Sequence, residues 1–156
     1  MKNTIIDKSI ELLKKEGLKF SVDDLSAQLG ISKKTVYKYF PDKESLAFAM
    51  YEKYYDVACG QVASVADHSN DVVFDLLALY LDSKTMTRAE IFNKYALNRS
   101  VSVFAMRKEN ELWDCIRPYL PACDDALKII VDGALEKALS EGADCEKVIR
   151  RLVALW

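Results

Sequence analysis

The chain has 156 residues, of which 51% are apolar, so it is long enough to bury one core or to join a small head to a helical body. Lysine and arginine number 22 against 24 aspartate and glutamate residues, and this slightly acidic balance excludes a surface that is basic throughout. No apolar run reaches the roughly 18 to 20 residues that a membrane span needs, and Asp7 and Glu11 stand where a secretory signal would be apolar, so we expect a cytoplasmic protein without a membrane partner.

Apolar residues recur at spacings of three and four along almost the whole chain, and no stretch alternates convincingly with period two. The sequence therefore predicts an all-α fold. The predicted helices cover about residues 3–16, 22–29, 33–39 and 43–66, then a series of helical patterns from Val72 to Ile116, a turn bracketed by Pro118 and Pro121, and two last helices at about 122–139 and 144–156.

Local start and stop signals define the first helices. Ser21, with Asp24 three residues later, has the spacing of a capping box and predicts the start of the second helix. Gly30 predicts a left-handed stop after that helix, while Ser32 and Asp42 are expected to cap the third and the fourth. These signals predict a helix, a glycine-containing turn and a second short helix.

Three short helices followed by a long one indicate two domains. We expect a three-helix head over residues 1–50, joined by the long fourth helix to a helical body over residues 51–156. The head is the part that concentrates positive charge, because residues 33–43 hold four lysines against the single acid Asp42.

The third predicted helix has two chemically different sides. At about 100° per residue, the apolar Val36 and Phe40 fall on one side and Lys34, Thr35 and Lys38 fall on the opposite side. Lys33, Tyr37 and Tyr39 lie on the flanks between them. Such a face offers many donors for phosphate oxygens, as DNA contact requires, but an ordinary solvated face with partly buried tyrosines has the same pattern.

The segment SVDDLSAQLGISKKTVYKYFPDKESL, residues 21–46, resembles the amino-terminal domain of the TetR family of bacterial repressors. The resemblance extends from Ile5 to Ala49 and includes the Ala-x-Leu-Gly turn at residues 27–30. It implies that the third helix enters the major groove of operator DNA. Two positions depart from the family pattern, because Tyr39 stands where histidine is frequent and Lys34 where a small residue is frequent.

The resemblance also implies that the head residues form two groups, one that contacts bases and one that contacts phosphates. Base-reading candidates lie on the outer side of the third helix: Lys33, Lys34, Thr35 and Lys38. Phosphate-contacting candidates surround them: Ser21, Ser32, Tyr37, Tyr39 and Lys43. The first group would specify the operator sequence, and the second would position the head on the DNA backbone.

Beyond residue 55 the resemblance is only architectural, and it implies a body that binds a ligand and forms a homodimer. Aromatic residues of the body are candidates for a pocket that holds a small-molecule inducer: Tyr51, Tyr55, Phe74, Phe92, Tyr95, Phe104 and Trp113. The penultimate helix carries an apolar stripe that could pair with a second copy: Ile130, Val131, Ala134, Leu135 and Ala138. In both cases the alternative is ordinary core packing within one subunit.

No pattern in the chain predicts an enzyme, a metal site or a cofactor. The four cysteines are scattered without a Cys-x-x-Cys pair, which favours buried free thiols over a zinc site or a disulfide framework. His68, the only histidine, stands in a polar stretch and is expected in a loop. No serine, cysteine or histidine has the setting of a catalytic nucleophile.

The sequence thus leads to a ligand-responsive transcriptional regulator. The first hypothesis is a repressor that forms a homodimer through its last two helices and binds palindromic operator DNA. An inducer, which the sequence does not name, would release it from the DNA. The alternative is a helical protein-interaction module that kept the head but lost or weakened DNA binding. The slightly acidic composition and the short body are the two observations that support this alternative.

Overall fold

A computed structural model describes residues 1–17, 20–88 and 99–156. These residues form α-helices without strands, which confirms the predicted all-α fold, and none of these helices is long and apolar enough to cross a membrane. The helices are α1 (Lys2–Glu16), α2 (Val22–Leu29), α3 (Lys33–Tyr39), α4 (Lys43–His68), α5 (Val72–Lys84), α6 (Arg99–Ile116), α7 (Asp125–Glu141) and α8 (Cys145–Val153), with a 3-10 turn at Arg117–Tyr119.

The local signals in the head have the predicted geometry. The Ser21 hydroxyl accepts a hydrogen bond from the Asp24 amide at 3.0 Å, and the Ser21 amide donates to the Asp24 carboxylate at 3.2 Å, which completes the capping box. Gly30 ends α2 at φ 65° and ψ 31°, a left-handed conformation that glycine adopts without steric cost. Ser32 caps α3, and the Asp42 carboxylate accepts the Ser45 amide at 2.7 Å before α4.

Three sequence predictions about the body are wrong in detail. The fourth helix continues to His68, whose ring nitrogen lies 2.9 Å from the Ser64 carbonyl oxygen, so this histidine ends a helix instead of lying in a loop. The helix expected from residue 122 begins at Asp125, because Asp124 supplies the cap by accepting the Leu127 amide. The four cysteines were expected to be buried, but all four are half-buried.

The residues fall into two compact units. The first consists of Met1–Asp56 and Met86–Lys108, and the second of Val57–Thr85 and Glu109–Trp156. The first unit therefore contains residues beyond 50 as well as the head, and within it the Tyr51 hydroxyl donates to the Met86 carbonyl oxygen at 2.7 Å. The predicted domain boundary at residue 50 stays a prediction.

The core of the second unit is built around aromatic and ionic contacts. The rings of Tyr80 and Trp113 lie 4.9 Å apart, centre to centre, and both side chains are buried. Next to Tyr80, Lys84 is also buried, and its ammonium nitrogen lies 2.9 Å from a carboxylate oxygen of Glu109 and 3.1 Å from one of Asp132. The Tyr80 hydroxyl donates to Asp132 at 2.6 Å. The sequence did not predict this charged cluster.

The apolar stripe proposed for dimerisation is divided by the structure. Val131, Leu135 and Ala138 are buried in the core of their own unit, which is the alternative that the sequence left open. Ile130 points outward with 52% of its surface exposed, and its neighbour Ile129, which the stripe did not include, is 71% exposed. Because the two sides of α7 are both apolar at this level, periodicity alone could not separate them.

Candidate nucleic-acid interface

Helix α3 is seated on the head by its apolar side. Val36 and Phe40 are buried, as the sequence predicts, and so are Ile5, Leu13 and Leu25 of the same unit. The opposite side is open to solvent, since Lys34 and Lys38 are exposed. The helix therefore presents its lysines outward because two large apolar residues fix its rotation.

The tyrosines of α3 flank the lysines. Tyr37 is 47% exposed and Tyr39 is 37% exposed, so both phenol groups lie at the surface while part of each ring packs on the head. Lys38 has its ammonium nitrogen 6.0 Å from the centre of the Tyr39 ring, within the range of a weak cation–π contact. A phenol and an ammonium group thus share one patch, from which both can donate to phosphate oxygens.

The hydroxyl groups at the start of α3 are engaged with each other. The Ser32 hydroxyl accepts the Thr35 amide at 3.2 Å and lies 3.0 Å from the Thr35 hydroxyl. Thr35 is half-buried, so less of its side chain is available than the sequence suggested. Ser32 keeps an exposed hydroxyl at the amino terminus of the helix, where backbone amides also favour an anion.

Two of the predicted DNA-contacting lysines are engaged with the head itself. The Lys33 ammonium lies 2.6 Å from a carboxylate oxygen of Asp23, which belongs to α2. The Lys43 ammonium donates to the Phe20 carbonyl oxygen at 2.6 Å and lies 4.7 Å from the centre of the Phe20 ring. Burial lowers the pKa of Lys43 below its ordinary value. A phosphate contact by either lysine must compete with these internal contacts.

The helices before and after α3 in the chain both begin with acidic residues. Asp24 and Asp42 both act as helix-start carboxylates, and hydrogen bonds from the backbone and side chain of Ser21 and Ser45, respectively, lower their pKa below the ordinary value. Both are therefore ionised at neutral pH. The net positive charge of the interface depends mainly on Lys34 and Lys38, whose ammonium groups are exposed.

The aromatic residues predicted for an inducer pocket are spread over both units. Tyr51, Tyr55 and Trp113 are buried among core residues. Phe104 packs its ring edge-on against Phe48 at 5.2 Å, and Phe74 lies beneath the Arg150 guanidinium at 4.0 Å. Phe92 and Tyr95 lie outside the described residues.

An open depression of about 480 Å³ is present in the first unit. Of the predicted pocket residues that the structure describes, only Phe104 lines it; the described part of its wall also includes Phe48, Arg99, Ser100, Val103 and Arg107. The Arg107 guanidinium lies 5.3 Å from the centre of the Phe104 ring. Sequence reasoning missed the two arginines because they come from α6, far along the chain from Phe48.

A helix, a glycine turn and a second helix with an exposed basic side define the head as a helix-turn-helix domain. Residues 5–50 match the family model described as bacterial regulatory proteins of the tetR family. This match over residues 5–50 agrees with the resemblance that the sequence motifs of the head indicated.

Related sequences agree with this match. An uncharacterized HTH-type transcriptional regulator of Mycobacterium tuberculosis (strain ATCC 25618 / H37Rv) is 34% identical over 34% of this chain and 23% of the relative, and the uncharacterized HTH-type transcriptional regulator YvaF of Bacillus subtilis (strain 168) is 37% identical over 35% and 28%. The similarity thus spans less than a third of either relative.

Solved structures resemble nearly the whole chain. A TetR/AcrR-family transcriptional regulator from Thermobifida fusca has a TM-score of 0.59 and 20% identity, and covers 99% of this chain and 94% of its own. The superantigen PfiT has a TM-score of 0.69 and 13% identity, with coverage of 99% and 94%. The multidrug binding protein EbrR, complexed with imidazole, has a TM-score of 0.58 and 17% identity, with coverage of 97% and 93%. These likenesses show that the body shares the all-helical fold of such proteins.

Proposed function

We propose that this protein is a transcriptional regulator that binds operator DNA through α3, acts as a homodimeric repressor in the bacterial cytoplasm, and is released by a small-molecule inducer. One observation carries the DNA-binding part. Val36 and Phe40 anchor α3 in a TetR-type head so that Lys34 and Lys38 point into solvent on the same side. A short helix with exposed lysines and flanking tyrosines suits a major groove lined by phosphates.

The test removes the outer side chains of α3 and leaves its buried side intact. The triple variant Lys34→Ala, Thr35→Ala, Lys38→Ala should lose retention of the protein's own promoter DNA in a gel-shift assay. Because all three side chains point away from the core or lie at its margin, the helical circular dichroism spectrum should keep its wild-type shape.

A matched control removes two exposed lysines that lie outside α3. The variant Lys15→Ala, Lys147→Ala loses the same charge, from the end of α1 and from α8. Its retention of the promoter should be close to that of the wild type. Unchanged retention by the α3 variant, or equal loss in the control, would contradict the assignment of α3 as the reading helix.

The dimer proposal is supported by the outer side of α7. Ile129 and Ile130 are both more than half exposed, and Gly133 lies one turn further along, where a side chain would begin in open space beyond the helix's own backbone. An exposed aliphatic pair beside a glycine allows two helices to approach closely across a two-fold axis. Burial of these side chains would stabilise the dimer by removing apolar surface from water.

The inducer proposal is supported by the fold shared with a multidrug binding protein and by the depression beside Phe104. Aromatic rings and arginines in one wall favour a flat ligand that carries negative charge. The genes adjacent to this one would indicate the ligand class, because a regulator of this kind commonly controls its neighbours. A compound from that class should release the promoter DNA in the same gel-shift assay.

The protein-interaction module is the second candidate, and two observations favour it. The chain is slightly acidic overall, and the superantigen PfiT shares its fold. A salt titration separates the two candidates, because phosphate contacts make log affinity for DNA fall linearly with log salt concentration. No measurable affinity for genomic DNA at low salt would favour the interaction module.

A further inference from the structure

Two cysteines that are distant in sequence meet in the second unit. Cys59 lies on α4 and Cys115 on α6, and their sulfur atoms are 3.0 Å apart. A disulfide places its sulfurs about 2.05 Å apart, so the two atoms would have to approach by only about 1 Å. Nothing in the spacing of the two residues along the sequence indicates this contact.

Neither cysteine forms a disulfide and both are half-buried, so a small oxidant can reach this pair from the surface. The other two cysteines have the same class of exposure, but their sulfurs contact backbone carbonyl oxygens. Cys123 lies 3.8 Å from the Asp124 oxygen and Cys145 lies 3.5 Å from the Ala143 oxygen. The four thiols therefore differ in whether a second sulfur is within reach, which makes Cys123 and Cys145 matched controls.

We propose that Cys59 and Cys115 form a reversible oxidation site, in which a hydroperoxide converts the two thiols into a disulfide. One cysteine, as the thiolate, attacks the outer oxygen of the hydroperoxide, the O–O bond breaks, and a sulfenic acid and an alcohol (or water) are produced. The second thiol then attacks the sulfenic sulfur, the S–S bond forms, and the S–O bond breaks as water leaves. Two electrons pass from sulfur to the peroxide, and a dithiol reductant reverses the change.

The site would act on a helix that also serves the head. Cys59 lies sixteen residues after the first residue of α4, which follows the loop after α3. A covalent link from α4 to α6 restricts the movement of α4, and a change in the preferred state of α4 alters operator affinity if the two states differ in DNA binding. This regulatory step rests on the DNA-binding function proposed above.

The chemical test uses the full-length protein, reduced and then treated with hydrogen peroxide at a low molar excess. We expect the loss of two of the four titratable thiols, a decrease of the intact mass by two hydrogen atoms, and one linked peptide pair containing Cys59 and Cys115. Dithiothreitol should restore all four thiols. Cys59→Ser and Cys115→Ser should each abolish the linked pair, whereas Cys123→Ser and Cys145→Ser should leave it unchanged.

A different linked pair, or oxidation of all four cysteines without a Cys59–Cys115 link, would overturn the site. The regulatory step is tested on the same samples, by comparing promoter affinity of the reduced and the oxidised protein. We expect a difference of about fivefold or more, which is at the lower end of ordinary allosteric coupling, and no difference for Cys59→Ser. Equal affinities would overturn the regulation alone, while absence of DNA binding in the reduced protein would overturn the proposed function and leave the thiol result standing.

Discussion

Lysines of the interface differ in how freely they can contact DNA, because their surroundings differ. Lys33 is held by Asp23 at 2.6 Å, whereas Lys34 is exposed. We therefore expect Lys34→Ala to weaken promoter binding more than Lys33→Ala does. Asp23→Asn should release Lys33 and, with one new phosphate contact in each head of a dimer, steepen the fall of log affinity with log salt by about 1.8. Fluorescence anisotropy over a range of salt concentrations measures both effects.

The double variant Asp23→Asn, Lys33→Ala is the control for this interpretation. It removes the carboxylate and also the lysine that the carboxylate holds. We expect the affinity gained by Asp23→Asn to disappear in the double variant, because Lys33 is the group that is released. A gain that persists in the double variant would show that it comes from loss of repulsion between Asp23 and the phosphates.

Lys84 and Glu109 form a buried ion pair in the second unit. Both side chains are less than 5% exposed. Lys84→Met would leave Glu109 buried without its closest cation, at a cost of about 3 to 5 kcal/mol in the free energy of unfolding. Lys84→Met with Glu109→Leu should recover most of that loss, because the unpaired charge is gone. Urea unfolding measures the stability of both variants.

The pH dependence of the Lys84→Met variant provides a second readout. Burial already raises the pKa of Glu109 above its ordinary value, with Lys84 opposing that rise. Without Lys84 the folded state favours the protonated carboxyl more strongly, so the stability loss should shrink as the pH is lowered from 7 toward 5. A loss that is independent of pH, or a double variant as unstable as the single one, would show that packing and not charge is the cause.

The aspartate carboxylates at two helix starts make the stability of the head depend on pH. In the folded protein Asp24 and Asp42 have pKa values lowered from 3.8, so their stabilising effect is fully present above about pH 4 and is lost as the pH falls through the lowered values. Asp24→Asn with Asp42→Asn should flatten this decline while keeping most stability at pH 7, because asparagine also caps helices. Thermal unfolding from pH 7 to pH 3 tests this, with Asp114→Asn as an exposed control.

The head elements could be predicted from the sequence because their determinants are local. The capping box of Ser21 and Asp24 and the left-handed Gly30 act over four residues or fewer, and periodicity correctly assigned Val36 to the buried side. The contact of Lys43 with the Phe20 carbonyl joins residues 23 positions apart, and that of Lys84 with Glu109 joins residues 25 apart. Such pairs depend on how helices cross, which local patterns do not encode.

At the scale of the whole molecule, the proposed homodimer would use the outer side of α7 to hold two heads together. Ile129 and Ile130 are exposed in the single chain, so glutamate at both positions should be tolerated by the isolated subunit. In a two-fold interface the same change would bring four carboxylates together in a place depleted of water, and the dimer should dissociate. Sedimentation equilibrium at micromolar concentration should report a monomer for Ile129→Glu, Ile130→Glu and a dimer for the wild type.

DNA binding by this variant connects the interface with the operator. A single head contacts about half as many phosphates as a dimer does, so the slope of log affinity against log salt should also fall to about half. Val57→Glu is the matched control, since Val57 is 50% exposed on α4, and it should leave both the dimer and the slope unchanged. A variant that stays dimeric would place the interface elsewhere. A monomer with the full slope would instead mean that each head binds DNA independently, and that the palindrome is not read by two coupled subunits.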